Sequence, residues 1–135
     1  MPAPTPAGSL ARLAPCPRTP NCVSTGGGGR PEQRMEPIPY REPRAARARL
    51  RAVLKALPRT RIVADELERT GYLHAEVRSA LFRFVDDVEF LFDDEAARLH
   101  FRSASRLGRS DFGVNRRRME EIRRAFLAGG PPGGD

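Results

Sequence analysis

From residue 43 onward apolar residues recur with two different periods, and the changes of period mark out the elements. Pro43 suits a first helical position, and Leu50, Val53, Leu54 and Leu57 follow at helical spacing until Pro58 ends the run. Residues 60–67 predict a strand through Ile62 and Val63, and Glu68-Arg69-Thr70-Gly71 predicts the turn into a second strand over 72–82. In that second strand Leu73, Ala75, Val77, Ser79 and Leu81 share one face, while Tyr72, His74, Glu76, Arg78 and Phe82 share the other. A third strand over 85–92 and a fourth over 97–105 flank the turn Asp93-Asp94-Glu95-Ala96. Pairing Phe92 with Ala97 sets Phe90 opposite Leu99 and Val88 opposite Phe101, with Glu89–His100 and Asp87–Arg102 pairs on the reverse face. A slip of one residue would oppose Phe90 to His100, so apolar matching favours the first register.

A last helix begins near Asn115 with Met119, Ile122 and Phe126 as its apolar stripe. Its first turn holds Arg116, Arg117 and Arg118, where the helix dipole disfavours cations, and Asp86 and Asp87 on the sheet are the compensating acids at hand. The expected fold is α+β: a four-stranded antiparallel sheet with two helices packed on one face, in the order helix-strand-strand-strand-strand-helix. Residues 1–36 contain seven Pro and five Gly and read as an extended arm, residues 37–128 as one α+β domain, and residues 129–135 as a disordered tail.

The length of 135 residues with 39% hydrophobic positions allows one small domain and no second. No apolar window is long enough for a membrane span, and no basic-then-apolar leader opens the chain. As written the chain reads as cytoplasmic; a mis-called start codon would make it periplasmic or membrane-associated.

The net charge of +7 raises the question of an anionic partner. The charge is segregated: residues 41–59 carry +6, residues 60–101 carry −5 and residues 102–124 carry +5. Much of the excess is thus expected to be matched between helices and sheet, and no recognition motif accompanies it, which disfavours nucleic acid. Of the 24 basic residues only Lys55 is not Arg, a bias that genome composition explains as well as guanidinium chemistry does.

Three constellations carry candidate chemistry. His74, Glu76, Glu89 and His100 share the outer face and would approach a metal site if Glu76 paired beside Glu89, whereas a shift by two sets Arg78 there instead and leaves a solvated, charge-alternating face. Cys16 and Cys22 frame Cys-Pro-Arg-Thr-Pro-Asn-Cys, which would close as a disulfide in an oxidising compartment; the missing leader favours free thiols. On the inner face the alternation that places Val77, Val88 and Phe101 inward continues into Ser79, Asp86, Ser103 and Ser105, so the core turns polar at one end near Arg116 and Arg118. Such a cluster is either a network closing the core or a pocket taking an anion through Arg and hydroxyl donors.

The stretches Cys-Pro-Arg-Thr-Pro-Asn-Cys-Val-Ser from Cys16, Arg-Phe-Val-Asp-Asp-Val-Glu-Phe from Arg83, and Arg-Ser-Ala-Ser-Arg-Leu-Gly-Arg-Ser-Asp-Phe-Gly-Val-Asn-Arg-Arg-Arg from Arg102 resemble the uncharacterised family called domain of unknown function 1499. The resemblance spans roughly residues 14–127 and implies no activity, substrate or cofactor. Many similar proteins carry an N-terminal membrane or export segment, from which this chain departs. The family motifs map onto Ser79, Asp86, Asp87, Glu89, Arg102, Ser103, Ser105, Arg106, Ser110, Asp111, Asn115, Arg116 and Arg118.

Together these features favour a small non-enzymatic domain binding an anionic small ligand or a protein partner through the Arg, Ser and Asp cluster. A metal-dependent or carboxylate-based hydrolase using Asp86, Asp87, Glu89 and His100 is one alternative. A basic surface for nucleic acid or anionic membrane is another. No cofactor is indicated.

Overall fold

A computed structural model describes residues 13–19, 21–27, 29–80, 84–107 and 113–129. The expected arrangement is corrected in number: among the described residues a six-stranded antiparallel sheet carries three α-helices, not four strands and two helices. The elements are β1 Cys22–Ser24, β2 Ile38–Pro39, α1 Pro43–Ala56, β3 Thr60–Glu66, α2 Leu67–Thr70, β4 Tyr72–Arg78, β5 Val85–Asp93, β6 Arg98–Ser105 and α3 Val114–Leu127.

The central strands lie in the order β6-β5-β4-β3, and of the two extra strands β1 comes from the arm and β2 from the start of the expected domain. β1 pairs with β6 through Cys22↔Ala104 and Ser24↔Arg102, and β2 pairs further along β6 through Ile38↔Leu99. Two and three residues are too few to show a period, so the apolar pattern leaves both strands unmarked. Two covalent and polar devices order the arm. Cys16 and Cys22 are joined in a disulfide with Cα atoms 5.7 Å apart, which corrects the expectation of free thiols. From outside the loop that this disulfide closes, the buried Gln33 amide nitrogen reaches in to the carbonyls of Pro17 (3.0 Å), Thr19 (2.6 Å) and Cys22 (3.1 Å). Ring closure and three converging bonds offset the ordering cost that the Pro/Gly composition suggests.

α2 replaces the expected turn after β3. It ends at Gly71 with φ +77°, where an added Cβ would lie 3.1 Å from the Phe92 carbonyl oxygen, so the chain reverses tightly against β5. β4 ends at Arg78, not residue 82; Ser79 N–H donates to the Phe84 carbonyl, and residues 81–83 lie outside those described.

Both long helices cover one sheet face. Leu50, Val53 and Leu54 of α1 and Met119, Ile122 and Phe126 of α3 bury against Leu73, Val88, Phe90, Phe92, Leu99 and Phe101. The β5–β6 faces are as expected, but the register is shifted by two: Phe90 opposes Phe101, Phe92 opposes Leu99 and Asp93 opposes Arg98. The four-residue loop is 94–97, because Asp94 is held by the Tyr40 hydroxyl (2.5 Å) and Arg47 (2.9 Å) and Ala97 takes φ +55°. At the other side β3 is the free edge, blunted by a register irregularity between Ile62 and Ala64. The expected disordered tail lies outside the described residues beyond 129, as do residues 1–12 of the arm.

Candidate functional site

The end of the sheet where β4 finishes and β5 begins is where the inner face changes character. Register aligns Val77, Asp86 and Ser105 across three strands, with Ser103 opposite Val88 one layer deeper. The first turns of α3 sit over this row. Asp86, 8% exposed, pairs with Arg118 at 2.8 Å. Arg118 also donates to Asn115 Oδ1 (2.9 Å) and Ser103 Oγ (3.3 Å), and Ser103 donates to Asn115 Oδ1 (2.5 Å). Asn115 Nδ2 donates in turn to the Asn21 carbonyl (3.2 Å) and to Ser105 Oγ (3.1 Å). Asn21, unnoticed in the sequence beyond its place in the cysteine loop, returns a bond from Nδ2 to the Ser105 carbonyl (3.3 Å). The Arg-rich first turn of α3 is thereby compensated by Asp86 and by carbonyl oxygens.

Outward from this network an open groove of about 740 Å³ runs between the end of α1, the β4 terminus and α3. Arg59, Arg78, Arg117, Arg118 and Arg124 line it against Asp86, Glu120 and Glu121, and Leu57, Pro58, Val77 and Val114 supply an apolar wall. Arg59, in the left-handed region at φ +56°, donates to the Arg78 carbonyl (3.1 Å), which ties its side chain to the end of β4, and the Arg78 guanidinium lies 3.9 Å from Glu76. Ser79 Oγ accepts from the Phe84 N–H (2.9 Å), leaving its hydroxyl hydrogen to donate.

The thirteen expected site residues do not form one site. Ser79, Asp86, Ser103, Ser105, Asn115 and Arg118 converge; of these Ser103 and Asn115 are fully buried and bonded within the protein, while Ser79, Asp86 and Arg118 line the groove. Arg116 donates to the carbonyls of Glu32 (2.5 Å) and Arg34 (2.9 Å) and so clamps the arm. Ser110 and Asp111 lie outside the described residues.

Asp87, Glu89, Arg102 and Arg106 occupy the opposite sheet face. There β4 and β5 pair His74 with Glu89 and Glu76 with Asp87, a register different from both weighed in the sequence. Arg106 bridges Glu76 (2.5 Å) and Asp87 (2.9 Å), and its hydrogen bonds hold both carboxyls below their usual range. His74 reaches Asp87 at 2.8 Å, and Tyr72 donates to Glu89 at 2.5 Å. Arg102 lies 3.7 Å from Glu89. His100 opposes Leu91 instead of Glu89, contacts Thr25 Oγ1 at 2.9 Å, and has its pKa lowered by burial. Among the described residues no group of three or more His, Cys, Asp or Glu side chains is placed to hold a metal ion. Asp86 faces the helices while Asp87 and Glu89 face away, so the carboxylates of the hydrolase reading are not brought together.

A match to the family described as protein of unknown function (DUF1499) covers residues 12–126. The chain belongs to the DUF1499 family. No curated protein and no solved structure matches it. In this DUF1499 chain the matched stretch takes in the cysteine loop, Asn21, the buried network and every Arg of the groove. No described helix is long and apolar enough to cross a membrane.

Proposed function

We propose that this DUF1499 chain is a binding domain that takes an anionic ligand in the Arg-lined groove at the end of its sheet. One observation carries the reading. The groove presents five guanidinium groups against three carboxylates, and one of those carboxylates, Asp86, is already committed to Arg118. A volume of about 740 Å³ suits a small molecule, and paired guanidiniums with hydroxyl donors suit phosphate or carboxylate oxygens. The buried Asn115 network is then the frame that fixes Arg118 and the start of α3, and the outer face is a structural lattice of ion pairs. The Cys16–Cys22 disulfide supports action in an oxidising compartment in preference to the cytoplasm.

The test is an NMR titration of the full chain with inorganic pyrophosphate. Saturable shifts at Ser79, Arg78 and Arg118 are expected, weakened at least about tenfold in Arg78→Glu/Arg124→Glu. Absence of saturable shifts, or shifts unchanged by the double reversal, removes the reading. The intact mass of protein from its own host, lower by two hydrogens than the reduced chain, checks the compartment.

A further inference from the structure

We propose that the groove end of the sheet docks on an anionic lipid bilayer, with the Arg rim binding lipid phosphates and a collar of exposed apolar side chains entering the interface. This rests on the anion-binding reading of the groove and names the source of the anion. The decisive feature is where the exposed large apolar residues lie. Among the described residues Phe84 (39% exposed), Leu107 (44%) and Val114 (38%) are three of only five such positions, and all three sit at this end. Chain geometry puts them there together. Arg78, the last residue of β4, pairs with Val85, so Phe84 lies just beyond the start of β5; Arg106 N–H donates to the Val85 carbonyl, so Leu107 lies just beyond the end of β6; Val114 opens α3 over the same end.

Arg59, Arg78 and Arg117 are exposed and line the groove with Val114, and Phe84 and Leu107 lie outside its lining at the same end of the sheet. A small soluble anion would engage the guanidiniums and leave the apolar collar in water. Nucleic acid would offer phosphates without a hydrocarbon boundary. A bilayer surface offers both, with headgroup phosphates above an acyl region that accepts side chains a few ångströms deep. Glu120 and Glu121 lie one turn on from Arg117 in α3, Asp86 is paired with Arg118 and Glu76 lies 3.9 Å from Arg78, so the five guanidiniums of the groove meet four carboxylates and keep a small cationic excess.

The experiment is co-sedimentation of the full, oxidised chain with vesicles of phosphatidylcholine alone or of phosphatidylcholine with phosphatidylglycerol, beside an NMR titration with glycerol 3-phosphate as the soluble headgroup. Binding to the anionic vesicles, little to the neutral ones, and release by salt are expected. Arg78→Glu/Arg117→Glu and, separately, Phe84→Ser/Leu107→Ser should each weaken vesicle binding at least about tenfold. All four positions are exposed, and an unchanged thermal midpoint verifies the fold of each variant. Glycerol 3-phosphate shifts in the groove without vesicle binding would overturn lipid docking while the anion reading stands; absence of both would overturn the two together. Vesicle binding indifferent to Phe84→Ser/Leu107→Ser, or binding of a DNA duplex in place of vesicles, would likewise overturn it.

Discussion

Asn115→Ala is the most informative single change, because one fully buried side chain ties α3, β6 and the arm together. Its Oδ1 accepts from Ser103 and Arg118, and its Nδ2 donates to the Asn21 carbonyl and to Ser105. Truncation strands these four partners unequally. Ser103, 0% exposed, loses the acceptor for its hydroxyl, whereas the Asn21 carbonyl loses one donor and keeps the Ser105 N–H at 3.0 Å. Each stranded buried group costs about 1–3 kcal/mol. Arg118 keeps Asp86 and Ser103, and Ser105 is half-buried, so these two add little. The expected loss is therefore about 1–3 kcal/mol, an appreciable part of the roughly 5–15 kcal/mol that holds a domain folded.

Urea unfolding followed by circular dichroism measures that loss. Pairing Asn115→Ala with Ser103→Ala separates the network from simple truncation: removing both partners together should cost less than the sum, with a coupling of about 1 kcal/mol or more. A loss under about 1 kcal/mol for Asn115→Ala, or strict additivity with Ser103→Ala, would refute the claim that this cluster frames the groove.

Two further outcomes follow from the arm and from the titratable groups. Reduction of the Cys16–Cys22 bridge, or Cys16→Ser/Cys22→Ser, should cost about 2 kcal/mol from the loop entropy of a sequence separation of 6, and should speed amide exchange at Val23 in β1; an unmoved urea midpoint under reductant would contradict the ordering role given to the bridge. For pH, burial lowers the folded pKa of His100, so protons bind the unfolded chain first; stability is complete above about pH 6.5 and falls as pH drops, by up to about 1.4 kcal/mol per pH unit. Asp87 and Glu76, held low chiefly by Arg106, keep their contribution above about pH 4.5 and lose it on further acidification. His100→Gln should flatten the upper limb of that curve and leave the lower one, and an unchanged upper limb would assign it elsewhere.

What the sequence showed depended on how many residues spoke for each feature. α1, α3 and the four long strands were legible because each repeats its period several times, and the inward face of β5 and β6 survived the register error since a shift of two preserves faces. The shift itself came from Tyr40 and Arg47 reaching Asp94, contacts of sequence separation 54 and 47 that no local pattern announces. β1 was illegible for the same reason, since the arm around it is held by a disulfide and by Gln33, and β2 was illegible because two residues show no period. In the site, alternation correctly gathered Ser79, Asp86, Ser103 and Ser105, but adjacent family motif positions were pooled with them, so Asp87 and Glu89, which the pleat sends to the other face, joined a cluster they do not enter. Arg59, Arg78, Arg117 and Arg124 were missed as a group, although the basic run ending at Arg59 and the run after Asn115 held the signal: both flank the same end of the sheet once the order of elements is known.

The pairing of β4 with β5 shows how a register that opposes like charges is accommodated. Avoiding like charges argued against opposing carboxylates, yet Glu76 lies directly opposite Asp87. On the inner face this same register places Leu73 against Phe90 and Ala75 against Val88, all fully buried. A shift of two would keep the same faces, so burial alone does not settle the like-charge contact; Glu76 and Asp87, 13% and 26% exposed, need a cation to share. The repulsion is then cancelled by Arg106, one residue beyond the end of β6, which binds both acids. The Arg that follows a strand is therefore the residue to examine where like charges face each other.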